Sequence, residues 1–208
     1  MYIVFEGIVW TGKSTQSKKL HEYLRQQYPD KEVIHVREPG GTDIAEAIRH
    51  IAQWQKFNED MDPICEAYLY AAARAQLLYT LVKPAHDRGA IIIADRSVLS
   101  SLAYQWYARW VWIDKVLDIN RQAIIDCIPD VVFYLESSIE HAIERTFDAH
   151  WDKFETMGHE FFEKVMQWYH KAAMLPVFQD RWYQIDAYGT IDEVFSRLVT
   201  IVESKLQS

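Results

Sequence analysis

Cysteine is nearly absent from this chain of 208 residues; only Cys65 and Cys127 occur. They stand far apart and in no metal-ligand spacing, so neither a disulfide framework nor a cysteine metal site is expected. Both have apolar neighbours and read as buried thiols of a reducing compartment. Long apolar runs are missing as well. No segment approaches the roughly 20 apolar residues of a membrane span. The N-terminal apolar run, Tyr2-Ile3-Val4-Phe5, has no basic lead and no cleavage signal. Basic charge is in deficit, with 22 Lys and Arg against 30 Asp and Glu and a formal net charge of −8. Sequence-independent nucleic-acid binding needs a basic face, so that class is disfavoured. The eight histidines show no metal-ligand spacing. There is no internal repeat, low-complexity tract or linker. Half of the residues are hydrophobic and a quarter are charged, enough for a globular core without staples. The expectation is one cytoplasmic domain over residues 1–208.

What is present is concentrated in Gly7-Ile8-Val9-Trp10-Thr11-Gly12-Lys13-Ser14. It fits the phosphate-loop pattern of Gly, four residues, Gly, Lys, then Ser or Thr. An apolar strand precedes it, and a helix is expected over residues 15–28. A loop in that setting turns several backbone N–H groups onto one concave face at the positive end of a helix dipole. Lys13 would reach the β and γ phosphates of a nucleotide, and the Ser14 hydroxyl would bind Mg²⁺.

Further strands are expected at 32–36, 90–94, 131–135 and 182–185. Helices are expected at 43–53, 64–86 with Asp62-Pro63 as its start, 97–107, 114–126, 139–145, 158–175 and 191–206. The polar stretch 146–157 breaks the periodicity and reads as a mobile loop. Strands alternating with helices predict an α/β fold of the P-loop NTPase kind. It would be a three-layer α/β/α sandwich around a five-stranded parallel sheet, with a small lid segment. In such sheets ligands bind at the carboxyl ends of the strands. The loop follows the first strand, Arg37-Glu38 the second and Asp95-Arg96 the third, so all three should meet on one rim. Asp95 could hold Mg²⁺ there, directly or through water. The Arg96 guanidinium could clamp two phosphates. By position alone they could also be a solvent-facing charge pair at a strand end. Tyr70 and Arg74 are four apart and share a helix face, where an aromatic plane and a guanidinium could take a pyrimidine. By spacing alone an ordinary half-buried pair is the plainer reading.

With these residues in view the chain resembles the thymidylate kinases, P-loop enzymes that transfer the γ-phosphate of ATP to dTMP. The resemblance runs nearly end to end. It is carried by the loop, Phe5-Glu6-Gly7, Arg37-Glu38-Pro39-Gly40-Gly41-Thr42, the stretch 71–76, Asp95-Arg96 and Ser100-Ser101-Leu102-Ala103-Tyr104-Gln105. Asp152-Lys153-Phe154-Glu155 looks like the family's lid. No Asn-Lys-x-Asp guanine signature and no transporter-ATPase signature is found. The resemblance implies ATP and Mg²⁺ as cofactors, dTMP as acceptor, and a homodimer paired through flanking helices, with no nucleic-acid or membrane partner. It implies ATP on Gly7, Trp10, Thr11, Gly12, Lys13, Ser14, Thr15 and Arg145, and metal on Ser14 and Asp95. The acceptor would lie on Arg37, Glu38, Tyr70, Arg74, Arg96, Ser100, Tyr104 and Gln105. Tyr104 would pack against the deoxyribose, where a 2′-hydroxyl would clash. Lys13, Asp95, Arg96 and Lys153 would carry the catalysis.

The pattern breaks in the loop. Val9 and Trp10 stand where the family has an aspartate and a glycine. If that position needs a positive φ, a tryptophan there costs on the order of 1–2 kcal/mol, and its indole could fill the phosphate space. Trp106, Trp110 and Trp112 also replace small residues. The lid offers Arg145 and Lys153 where the family supplies arginines, and lysine replaces a guanidinium only in part. A dTMP kinase is therefore the first reading. A non-catalytic nucleotide-binding relative, or a kinase with another monophosphate acceptor, are the alternatives.

Overall fold

β1 (Tyr2–Glu6) is buried along its whole length. Its alternate residues enter two different cores, Tyr2 and Val4 one, Ile3 and Phe5 the other. That is why it reads as a continuous apolar run and not as an alternation. β3 (Ile91–Asp95) and β4 (Val131–Glu136) alternate between the same two cores and are buried up to their half-buried last residues. With β2 (Val33–Arg37) and β5 (Trp182–Asp186) they make a five-stranded, wholly parallel sheet in the order β2-β3-β1-β4-β5. The computed structural model describes residues 1–54, 57–107, 113–144 and 158–207.

Helices cover both faces. α1 (Lys13–Gln27) and α9 (Ile191–Leu206) bury Leu20, Leu24, Val194, Leu198 and Val202 against one side. α3 (Pro63–Leu77), α6 (Ile113–Asp126), α7 (Ile139–Glu144) and α8 (His159–Ala173) close the other. The predicted three-layer α/β/α arrangement is therefore present. The start of α3 is as expected: the Asp62 carboxylate accepts from the Ile64 N–H at 2.8 Å and Pro63 takes the first turn.

Three predicted helices are not α-helical throughout. α2 (Asp43–Arg49) passes into a π-helical turn at His50–Trp54, and α5 (Val98–Ser101) into another at Leu102–Tyr107. The run expected at 64–86 is α3, a π turn at Leu78–Val82, then α4 (Lys83–Asp87). Pro84 has no N–H with which to continue an α ladder, and the wider turn ends just before it. Such turns are common at functional sites, and two of these three carry site residues.

The cysteine expectation is overturned. Cys65 is exposed and Cys127 half-buried. α3 buries Glu66, Ala67, Tyr70, Ala71, Ala73, Arg74 and Leu77, and that helical stripe leaves position 65 on the outer face. The lid expected at 146–157 lies outside the described residues, with Arg145, Lys153, Trp110, Trp112 and the side chain of Trp106.

Candidate active site

The site begins where β1 ends. Gly7 has φ +140°, and a Cβ there would come within 2.7 Å of the Leu135 carbonyl oxygen, so no larger residue fits without backbone movement. Trp10 has φ +62° and Gly12 φ +89°. Positive φ at these points curls the backbone so that successive N–H groups face one hollow, the geometry of an anion nest. Gly12 is the N-cap of α1 and gives no side-chain cap, so the helix's own first N–H groups face the same hollow. Trp10 thus occupies the left-handed conformation suspected from sequence. Its indole leans towards α8, with its ring centroid 6.3 Å from that of Phe162. The hollow beside it is not filled: a cleft of about 690 Å³ is lined by residues 9–16, Arg37, Asp95 and Arg96. That lies within the roughly 300–1,000 Å³ of small-molecule sites.

Lys13 is buried in this loop. Its ammonium donates to the Ile8 carbonyl and, at 3.4 Å, to the Thr11 hydroxyl. Burial, reinforced by the charge of Arg96, lowers its pKa to about 7. An anion entering the cleft would reverse that effect, because a close opposite charge favours the ammonium form. The Ser14 hydroxyl donates to the Asp95 carboxylate. Two side-chain oxygens are therefore side by side at the cleft, of the hard type that suits Mg²⁺. Sheet register explains the meeting: Phe5 and Arg37 both pair with Asp95 across neighbouring strands.

A second, smaller cavity of about 50 Å³ adjoins the cleft. Val9, Glu38, Pro39, Gln53 and Arg96 line both. Tyr70, Arg74, Ser97, Ser100, Ser101, Tyr104 and Gln105 complete the smaller one. The predicted Tyr70 and Arg74 pair is thus on one wall. The Tyr70 hydroxyl accepts from Gln53 Nε2 at 3.0 Å. Arg74 is held on several sides. Its Nε donates to Glu38 at 2.7 Å, its NH2 to the Ser101 hydroxyl at 2.9 Å and the Ser97 carbonyl at 3.4 Å, and its NH1 to Asn120. Gln105 donates to Glu66 at 3.0 Å inside the protein.

Arg96 stands where the two cavities meet. It has φ +76°, a conformation that costs a non-glycine residue roughly 1–2 kcal/mol. Its NH1 donates to the Gly7 carbonyl at 3.3 Å and the Ser100 hydroxyl at 3.1 Å, and its guanidinium carbon lies 5.2 Å from the Tyr104 ring centroid. The other two nitrogens of the fork have no hydrogen-bond partner among the described residues. Arg37 is committed elsewhere: Nε and NH2 both engage the Glu46 carboxylate, at 3.1 and 2.8 Å.

Most of the predicted residues are thus gathered around two joined spaces. Trp10, Thr11, Gly12, Lys13, Ser14 and Thr15 line the cleft, and Tyr70, Arg74, Ser100, Tyr104 and Gln105 the cavity, with Arg96 on both. Gly7 serves as a close-packed turn whose carbonyl meets Arg96. Glu38 spends its carboxylate on Arg74. Sequence reasoning missed Arg49 and Gln53, which reach the cleft from the end of α2 and the π turn after it. It also missed the segment after β5, where Ala187, Gly189, Thr190 and Ile191 form the cleft's outer edge. A signal for that edge was available, because Thr190 and Glu193 make a reciprocal capping box at the start of α9.

Comparison with known proteins gives one result from three directions. A family model described as thymidylate kinase matches residues 5–198. The chain is similar to the thymidylate kinase of Thermosipho africanus, 40% identical over 208 residues and covering 100% of both chains. It is similar to that of Chlorobaculum tepidum, 35% identical over 214 residues, covering 98% of this chain and 97% of the relative. Its fold is similar to the crystal structure of thymidylate kinase from Ehrlichia chaffeensis, with a TM-score of 0.78, 27% identity and 98% of each chain covered.

Proposed function

The chain belongs to the thymidylate kinase family, and on that premise we propose that it transfers the γ-phosphoryl group of ATP to dTMP, giving dTDP and ADP. One observation carries the reading: the cleft and the smaller cavity are contiguous, and Arg96 borders both. A phosphate donor in the first and a monophosphate acceptor in the second would meet at that guanidinium.

In this reading residues 10–15 hold the triphosphate through backbone amides and Lys13. Tyr70 and Arg74 take the thymine, Tyr104 faces the deoxyribose, and Ser100 lies towards the acceptor phosphate; Arg37, on the cleft wall and paired with Glu46, would have to leave that carboxylate to reach it. Glu38 acts by holding Arg74. Ser14 and Asp95 would hold Mg²⁺, which when bound spreads the negative charge of the phosphate oxygens. No general base is needed, because the acceptor phosphate is already anionic near neutral pH. Catalysis is then alignment and charge neutralisation. Lys13 and Arg96 supply positive charge from the described residues, and Lys153 and Arg145 are assigned the same task from the lid. We further read the protein as a cytoplasmic homodimer. Ile64 and Tyr68, one turn apart on α3 and 48% and 56% exposed, support pairing through that helix. No helix among the described residues is long and apolar enough to cross a membrane.

The test is an ADP-release assay with dTMP, dUMP, UMP and dGMP, each with and without Mg²⁺. Turnover should require Mg²⁺ and be greatest with dTMP. ADP release that is the same with and without dTMP would falsify the assignment.

A further inference from the structure

The side chain of Glu6, at the end of β1, is fully buried. Four donors converge on it. The Ser97 N–H and hydroxyl reach Oε1 at 2.8 and 2.7 Å, and the Ser100 and Tyr169 hydroxyls reach Oε2 at 2.7 and 2.8 Å. No Lys or Arg forms an ion pair with it among the described residues. A carboxyl group so placed accepts hydrogen bonds on both oxygens inside the protein.

Its effect on Ser100 follows from counting protons. A serine hydroxyl has one hydrogen and two lone pairs. Glu6 takes the hydrogen, which leaves the lone pairs of the same oxygen for Arg96 NH1 at 3.1 Å. The neighbouring Tyr169 hydroxyl, 3.2 Å from Ser100, also gives its hydrogen to Glu6 and does not compete. We infer that Glu6 is a positioning residue for phosphoryl transfer: through the Ser100 hydroxyl it fixes the Arg96 guanidinium at the junction of cleft and cavity. The inference rests on the kinase reading of the site. Arg96 sits at a left-handed φ, so its backbone does not favour this placement unaided. The anchoring comes from the Ser100 oxygen and the Gly7 carbonyl. Glu6 is the residue just before Gly7 and touches the first of these anchors, so loop and arginine share one reference point.

Glu6→Gln tests this at nearly constant size. The Ser97 N–H requires an acceptor, so the amide oxygen faces it. The amide nitrogen then points at Ser100 and Tyr169, donating where the carboxylate accepted; both hydroxyl hydrogens lose their acceptor, and a Tyr169 hydroxyl turned onto Ser100, together with the amide, leaves no lone pair for Arg96. A misplacement of about 1 Å at a reacting centre can cost on the order of 100-fold in rate. The experiment measures kcat and both KM values for wild type, Glu6→Gln, Ser100→Ala and the double variant in the full chain. Each kcat is normalised to the stoichiometry of ATP binding, so that unfolded molecules do not count. We expect kcat to fall about tenfold or more in either single variant, with KM for ATP changed by less than about twofold. The double variant should be no slower than the slower single one, because both break the same bridge. Unchanged kcat per ATP-binding molecule in Glu6→Gln, or losses that multiply in the double variant, overturns the inference. If Glu6→Gln does not fold, Glu6→Asp, which draws the carboxylate back from Ser100 by one methylene, takes its place, and undiminished kcat per ATP-binding molecule there overturns the inference. Absent wild-type turnover overturns the kinase reading and this inference together, whereas normal wild type with unaffected variants overturns only this one.

Discussion

Arg74 Nε lies 2.7 Å from Glu38 Oε2, and the two side chains are only 3% and 4% exposed. Burial pushes the Glu38 carboxyl up, and Arg74 beside it only partly pulls it back. In buried ion pairs of this kind desolvation largely offsets the Coulomb attraction. The pair's use is geometric: it fixes a guanidinium on the wall of the smaller cavity. Glu38→Ala strips the countercharge and should destabilise the protein by about 3–5 kcal/mol. Adding Arg74→Met should cost less than the sum of the two single changes, since the stranded cation goes with it. Urea unfolding of the three variants measures both quantities. Additive losses would mean that the two side chains do not depend on each other.

Trp10 is held at φ +62°. Trp10→Gly and Trp10→Ala both remove the indole and its contact with Phe162, so the difference between them reports the backbone. Glycine reaches the left-handed region freely and alanine does not. Trp10→Gly should therefore be the more stable of the two by about 1 kcal/mol, against the usual order of these residues. Equal melting points would show that the loop leaves this conformation once the indole is gone.

The strain at Trp10 was legible in the sequence because the loop motif dictates its own backbone, whatever side chains it carries. The five strands were legible for a similar local reason: residues such as Ile91, Ile92 and Ile93 are apolar on both faces of a covered sheet. The convergence of Lys13, Asp95 and Arg96 needed only the rule that parallel strands end on one rim. What escaped was set by long-range packing. Nothing near Glu38 in the chain announces that its carboxylate is taken by a residue 36 positions away. Gln53 was assigned to a plain helix end, and only the π turn after Arg49 brings it to both cavities. Cys65 looked buried by its neighbours, yet the buried stripe of α3 passes it by.

The Ser14 and Asp95 pair makes a separable demand. Asp95→Asn keeps the size and a hydrogen-bonding oxygen but loses the charge that would hold a divalent cation. Half-saturating Mg²⁺ in the ADP-release assay should rise on the order of 10–100-fold. Because Asp95 is only partly buried, the melting temperature should change little. A variant with unaltered Mg²⁺ dependence would remove Asp95 from the metal site.

Lys13 gives the protein a pH signature. Its pKa falls from 10.5 to about 7, chiefly by burial and then by Arg96. In the unfolded chain it stays protonated up to about pH 10.5. Between these values the unfolded state binds the extra proton, so stability rises with pH. Above pH 10.5 the lysine is neutral in both states and its burial carries no charge penalty. As pH falls through about 7 the penalty becomes complete, and lower pH adds nothing. Lys13→Met has no such group. Its stability advantage over wild type should be level below pH 7 and then shrink with increasing pH, by at most about 1.4 kcal/mol per unit. Taking the difference between the two proteins cancels every other titrating group they share. Saturating ATP should flatten the curve, because a phosphate beside the ammonium restores its charge in the folded state. A pH-independent difference without nucleotide would mean that the Lys13 ammonium is already solvated, and that the loop does not enclose it.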